Sequence, residues 1–257
     1  MTTETLIARP TVTRPGSVTF RDVAKQFPDG TRALQDVTLH AEAGELVSIV
    51  GPSGCGKSTL LRMASGLTRC TSGQIAVEAT NVGFVFQDAT LLPWRTVRRN
   101  VELLLELARV RGAERRRRGQ EAIDTVGLTD NEGKYPRALS GGMKMRVSLA
   151  RCLTMAPEVF LFDEPFGALD EITRQRMNEE VLRLFQQRQF CGLFVTHSIS
   201  EAVFMSTRVV VMSGRPGRVV ADIPIPFGLP RPPELRYSRE VGVVAGQVSA
   251  ALKGSHR

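Results

Sequence analysis

Residues 45–59 read ELVSIVGPSGCGKST. A short apolar run ends at Val50, and a glycine-rich loop leads into Lys57, Ser58 and Thr59. The spacing is G-x-x-x-x-G-K-[ST], and its context predicts a buried strand over 45–50 and a helix from about Lys57 to Ser65. A glycine-rich turn between a strand and a helix N-terminus grips phosphate. Gly51, Gly54 and Gly56 let the backbone wrap closely, with Pro52, Ser53 and Cys55 filling the loop between them, and successive N–H groups point inward. The helix dipole adds a favourable field. Lys57 is placed to reach the β- and γ-phosphates of a nucleotide, Ser58 to offer a hydroxyl to Mg2+, and Thr59 to lie near the α-phosphate.

Downstream, VFLFDEP (159–165) is an apolar strand that ends in two carboxylates. Asp163 at the strand end suits a magnesium ligand. Glu164 is a second acid that the metal does not require; beside a γ-phosphate it can orient and polarise an attacking water.

The remaining pattern sets the architecture. SVTFRDVAKQF and LQDVTLHAEAG alternate like strands around a DGTRA turn, and QIAVEA and VGFVFQ are further short strands. From about residue 91 to 153 the period becomes helical, as in VRRNVELLLELARV and EAIDTVGL. Strand signals return at VFLFDEP and GLFVTHS, with a helix predicted from Thr173 to Gln189 between them. Strand–helix alternation predicts an α/β fold with a largely parallel sheet covered by helices. Residues 1–16, rich in Thr, Arg and Pro, read as a loose tail. The end of the chain is Pro-rich after one expected hairpin.

Composition narrows the function classes. The chain has 257 residues, 42% hydrophobic, enough for a substantial core. Its four cysteines are scattered, with no CxxC pair, which argues against a disulfide framework or a zinc site and fits a reducing compartment. No signal-peptide core and no membrane-length apolar run is present. The net charge of +8 suits polyanions. The run Arg115 to Arg118 reads as a solvated helix face, because no aromatics are interleaved for base stacking. Nucleic acid is not an expected partner.

A second candidate anion site stands at LSGGM (139–143), where Ser140, Gly141 and Gly142 precede a helical run. With these pieces in order, the sequence resembles the ATP-binding cassette (ABC) ATPases from Val18 to about Pro216. The matching motifs are the P-loop, Gln87 after VGFVF, LSGGM, FLFDEP, FGALD and VTHS. The resemblance implies a P-loop NTPase fold: a RecA-like core, an N-terminal antiparallel β-subdomain and an inserted α-helical subdomain at about 91–153. It implies an ATPase domain over 17–240 and a C-terminal helix or tail over 241–257. It also accounts for two phosphate sites in one chain, since cassettes of this family pack head to tail. Ser140, Gly141 and Gly142 then close over ATP held by the second copy, and Asp170 of FGALD meets that copy. Phe27 matches the aromatic that stacks on adenine. Gln87 would touch Mg2+ or the lytic water, and His197 the γ-phosphate. The implied cofactors are ATP and Mg2+. Met143 stands where the signature often has Gln; it cannot donate that side-chain hydrogen bond, but the serine hydroxyl and glycine amides remain.

Finer motifs, FQDATLLPWRTVRRNV, LSGGM, DEPFGALDEITR and RPGRVV, resemble the nitrate/sulfonate/taurine importer ATPases. That resemblance implies a homodimer beneath integral membrane permease subunits, peripheral on the cytoplasmic face of the inner membrane, with a solute-binding protein as an indirect partner. In that setting LLPWR lies where a permease helix docks, so Trp94 is either an interface or a core residue. Alternatives are the ATPase of an exporter, or a soluble ABC ATPase acting on nucleic acid. The solute is not readable from an ATPase chain.

Overall fold

The computed structural model describes residues 16–254. The expected tail over 1–16 falls outside them except for Gly16, as do residues 255–257. The chain opens with β1 (Ser17–Gln26), β2 (Arg32–Glu42) and β3 (Leu46–Val50), then α1 (Lys57–Ala64), β4 (Ser72–Glu78) and β5 (Val82–Val85). Helices α2 (Val97–Val101), α3 (Leu103–Leu107), α4 (Gly112–Thr125) and α5 (Gly141–Leu153) follow without an intervening strand. The second half alternates: β6 (Val159–Asp163), α6 (Glu171–Arg188), β7 (Cys191–Val195), α7 (Ile199–Met205), β8 (Arg208–Met212), β9 (Val219–Pro224) and α8 (Arg239–Gly254).

Two sheets result. A three-stranded antiparallel sheet has the order β2-β1-β4. A six-stranded sheet has the order β5-β6-β7-β3-β8-β9, with the first five strands parallel and β9 antiparallel at the edge. The α/β class with an antiparallel and a mostly parallel sheet is the one the sequence predicts.

The period of two along each strand divides the core. In β6 and β7, Val159, Leu161, Leu193 and Val195 face one side, with α1 and the small sheet. Phe160, Phe162 and Phe194 face the other, against α5 and α6. There the rings pack in tilted and offset pairs, Phe160 on Phe190 at 4.5 Å and Phe162 on Phe194 at 5.6 Å between centroids. Both faces being covered explains why these strands read as continuous apolar runs rather than alternating ones.

A third cluster joins α7, β8 and α8 through Val203, Val209, Val241, Val244 and Val248. The boundary expected after residue 240 therefore falls inside a packed helix. The linking segment is pinned by Arg231, which is 7% exposed. Its guanidinium donates to the carbonyls of Val203, Phe204 and Ser206 at the end of α7, and to those of Phe227 and Gly228. A planar five-donor fork can satisfy several orphaned helix-end carbonyls at once. Arg236 then stacks 3.4 Å above the Phe204 ring and pairs with Glu179 of α6.

Candidate functional site

Parallel strands bring their C-terminal ends to one edge, and ligand crevices in open α/β sheets form there. In spatial order this edge carries Gln87 just beyond β5, Asp163 and Glu164 at the end of β6, His197 beyond β7, and the 51–56 loop beyond β3. Residues far apart in the chain thus share one rim. Glu164 N donates to Val195 O at 3.0 Å, which ties the β6 end to β7.

The loop itself is tightly set. Gly56 caps α1 with φ +103, and a Cβ there would lie 2.6 Å from Leu34 Cδ2, so glycine is required twice over. Lys57 is 6% exposed and donates from Nζ to Gly51 O at 2.8 Å and Pro52 O at 3.1 Å. Ser58 donates from Oγ to Asp163 Oδ1 at 2.7 Å.

Asp163 is 7% exposed, and burial pushes its carboxyl up, opposed by the Ser58 hydrogen bond. A buried acid touching a hydroxyl is a pair of hard oxygens that a divalent cation would relieve. Among the described residues no group of three or more His, Cys, Asp or Glu could hold a metal by itself. The pair therefore fits an ion such as Mg2+, which takes one or two protein oxygens and completes its shell with phosphate and water.

Glu164 has φ +46, an uncommon backbone conformation for a non-glycine residue. It turns the side chain out of the strand line, and Oε2 lies 3.3 Å from His197 Nδ1. His197 is exposed and Glu164 half-buried. The arrangement offers a base and a ring that can orient it, beside a phosphate-binding loop.

The other predicted residues stand as follows. Phe27 is 38% exposed, with Lys25 Nζ 5.3 Å from its ring centroid; it is not a core residue. Gln87 is exposed. Ser140 caps α5, accepting from Met143 N at 3.3 Å. Among the described residues no hydrogen bond joins 140–142 to the 51–59 loop. Gly141 and Gly142 instead pack on Leu169 and Thr173. Asp170 caps α6, accepting from Thr173 N, and the Thr173 side chain first and its backbone N–H second hold the carboxyl below the usual range. Trp94 is 71% exposed, which removes the core reading. Three arginines of the run are paired: Arg117 with Glu114 and Glu121, Arg118 with Glu114, and Arg115 with Glu102 outside the helix.

Two neighbours of the site are not evident from sequence reasoning. Arg215, in the RPGR stretch, donates from Nε and Nη2 to Gly54 O, each at 3.3 Å, so this turn braces the phosphate loop. Gly217 of the same turn bonds Ala33 and Gln35 of β2. Beneath His197, Thr196 and Glu201 form a buried hydrogen-bonded pair. The SISE spacing at 198–201 is a capping-box signal that could have pointed to it.

Comparison with known proteins gives this edge a family. The ABC transporter family model matches residues 34–167, which include the 51–59 loop, LSGGM, Asp163 and Glu164. The chain belongs to the ABC transporter family. This ABC cassette is 46% identical to the nitrate import ATP-binding protein of Synechocystis sp. over 200 residues, 75% of each chain. It is 40% identical to the aliphatic sulfonates import ATP-binding protein of Bacillus licheniformis over 225 residues, 84% of this chain and 87% of that one. A solved ATP-binding cassette, dimeric in a post-hydrolysis state with ADP and phosphate, superposes with a TM-score of 0.73 at 31% identity, covering 82% of this chain and all of that one. The cassette binds and hydrolyses ATP, and its fold is the one the sequence predicts. No helix among the described residues is long and apolar enough to cross a membrane.

Proposed function

We propose that this chain is the ATP-hydrolysing subunit of an importer for a small solute of the nitrate, sulfonate or taurine kind. It acts as a head-to-tail pair of identical copies on the cytoplasmic face of the inner membrane, beneath permease subunits. The names of its relatives and the shared finer motifs support the importer reading. In this reading residues 17–240 carry the ATPase domain, with the helical insertion at about 91–153, and a C-terminal helix or tail over 241–257 follows, packed on it through Val241, Val244 and Val248.

The observation that carries the chemistry is the rim on which Lys57, the Ser58–Asp163 pair and the Glu164–His197 pair stand together. Phe27 stacks on adenine. The amides of residues 51–59 hold the phosphates, and Lys57 leaves its loop carbonyls for the β- and γ-phosphates. Ser58, Asp163 and Gln87 would hold Mg2+, which neutralises phosphate charge when bound. Glu164 takes the proton of the attacking water, and His197 steadies Glu164 and the γ-phosphate. Ser140, Gly141 and Gly142 of the second copy close the site from above, with Asp170 at the seam. An isologous pair buries two ATP molecules. Closure, rather than phosphate chemistry, moves the permease.

The test is purification of the tagged chain from its native membranes in mild detergent, followed by mass spectrometry. Recovery of a polytopic permease and a solute-binding protein supports the importer reading. Recovery of soluble or nucleic-acid-bound partners alone overturns it.

A further inference from the structure

His197 stands on a turn whose two neighbours are both fixed by one hydroxyl. Thr196 Oγ1 accepts from Ser198 N at 3.0 Å and donates to Glu201 Oε2. Ser198 in turn caps α7, its Oγ accepting from Glu201 N at 3.3 Å. An ordinary capping box sends the glutamate back to the backbone N–H of the cap residue. Here the threonine hydroxyl is inserted between them, so the carboxylate acts on the residue before the histidine.

The burial of this arrangement is more than a helix cap needs. A capping glutamate usually lies in solvent, yet Glu201 is 7% exposed and Thr196 2%. Glu201 Oε1 has no hydrogen-bond partner among the described residues. Burial raises the Glu201 carboxyl, opposed by the Thr196 hydroxyl, by Asn178 of α6, which is 1% exposed and lies against the same carboxyl group, and by the more distant Arg174 and His197. Burying a polar group without full compensation costs stability, and an apolar side chain would fill this position without that cost. Asn178 belongs to the helix that Asp170 caps, so the carboxyl group sits where the α6 and α7 supports of the site meet.

We propose that Glu201 is a positioning residue for ATP hydrolysis: through the Thr196 hydroxyl it fixes the turn that holds His197 against Glu164. The inference rests on the reading that His197 serves the reacting phosphate. Glu201 touches neither nucleotide nor water; its effect passes through the histidine.

The test uses the full chain with MgATP. Glu201→Ala is expected to lower kcat about tenfold or more, as a small misplacement of a reacting group does, with KM for ATP within about twofold. Thr196→Val removes only the hydroxyl and should do the same, while Thr196→Ser restores it and should recover most of the loss. Should Glu201→Ala fail to fold, the near-isosteric Thr196→Val and Glu201→Gln carry the comparison; the Gln carbonyl can still accept from Thr196, so its kcat should exceed that of Thr196→Val. The second readout is the ring carbon–proton resonance of His197 in 13C-histidine protein. The chain has three histidines, so His40 serves as the internal control. The His197 signal should move in Glu201→Ala and Thr196→Val while His40 stays. Folded variants with unchanged kcat and an unmoved His197 signal overturn the proposal. Full activity of His197→Ala would instead remove the reading on which it rests, whatever the Glu201 variants do.

Discussion

Ser58 Oγ and Asp163 Oδ1 meet at 2.7 Å although 105 residues separate them, because β3 and β6 flank β7 and end on one rim. Burial raises the Asp163 carboxyl, so its folded-state affinity for a proton exceeds that of the unfolded chain. Such a group favours folding below the unfolded value near 3.8 and is a growing penalty as pH rises through its folded value. Asp163→Asn removes the penalty. We expect the variant to melt above the parent in metal-free buffer, with the gap narrowing from pH 7 to pH 4 as the unfolded value near 3.8 is approached, while ATP hydrolysis falls at least ~100-fold. Melting curves at the two pH values, and with MgATP added, check this. MgATP should raise the parent's melting point and leave the variant's nearly unmoved.

Glu164→Gln keeps the shape of the side chain and removes the base. It should bind ATP about as well as the parent, accumulate as an ATP-bound dimer in size-exclusion chromatography, and turn over at least ~100-fold more slowly. Phosphate release at the parental rate would exclude Glu164 as the base.

Gly142 has a reason within its own chain. A Cβ there would lie 2.5 Å from Thr173 Cγ2. Gly142→Ala should therefore cost about 1–3 kcal/mol by overpacking. Thr173→Ser removes the offending methyl, and the double variant should regain most of that stability in urea unfolding. If hydrolysis stays low in the double variant, the glycine is also required for closing over nucleotide; if it returns, packing is the whole effect.

Arg231→Ala strips the hydrogen bonds from the carbonyls of Val203, Phe204, Ser206 and Phe227. Leaving buried acceptors unpaired should cost about 2–4 kcal/mol in chemical denaturation. Burial lowers the guanidinium to about 10, so it stays charged at neutral pH. Lysine should rescue poorly, because an ammonium cannot span the same acceptors.

What the sequence discloses here is what local chemistry encodes. A strand, a glycine loop and a helix start form one continuous signal, so residues 45–64 and their phosphate-gripping purpose are legible. The acidic pair after VFLF is legible for the same reason. Contacts made by the strand order are not. Nothing in RPGR indicates that Arg215 would reach Gly54, 161 residues earlier; that follows only once β8 lies beside β3. The same holds for Gly142 on Thr173, and for the exposure of Trp94, where an apolar residue type says nothing about which side of a loop it will occupy. Asp170 reads as a seam residue in the motif, yet within this chain its carboxylate is engaged as a helix cap.

The strap from Phe227 to Arg236 has a practical consequence for cutting the protein into parts. The motifs end at RPGRVV, and β9 ends at Pro224. A fragment stopped there would leave the last carbonyls of α7 bare, uncover Phe204 and strip Val209 of its partners on α8. The smallest piece that can be expressed, fused or swapped between homologues thus extends through Val248. Hybrid chains should be joined beyond that helix rather than at the last recognisable motif.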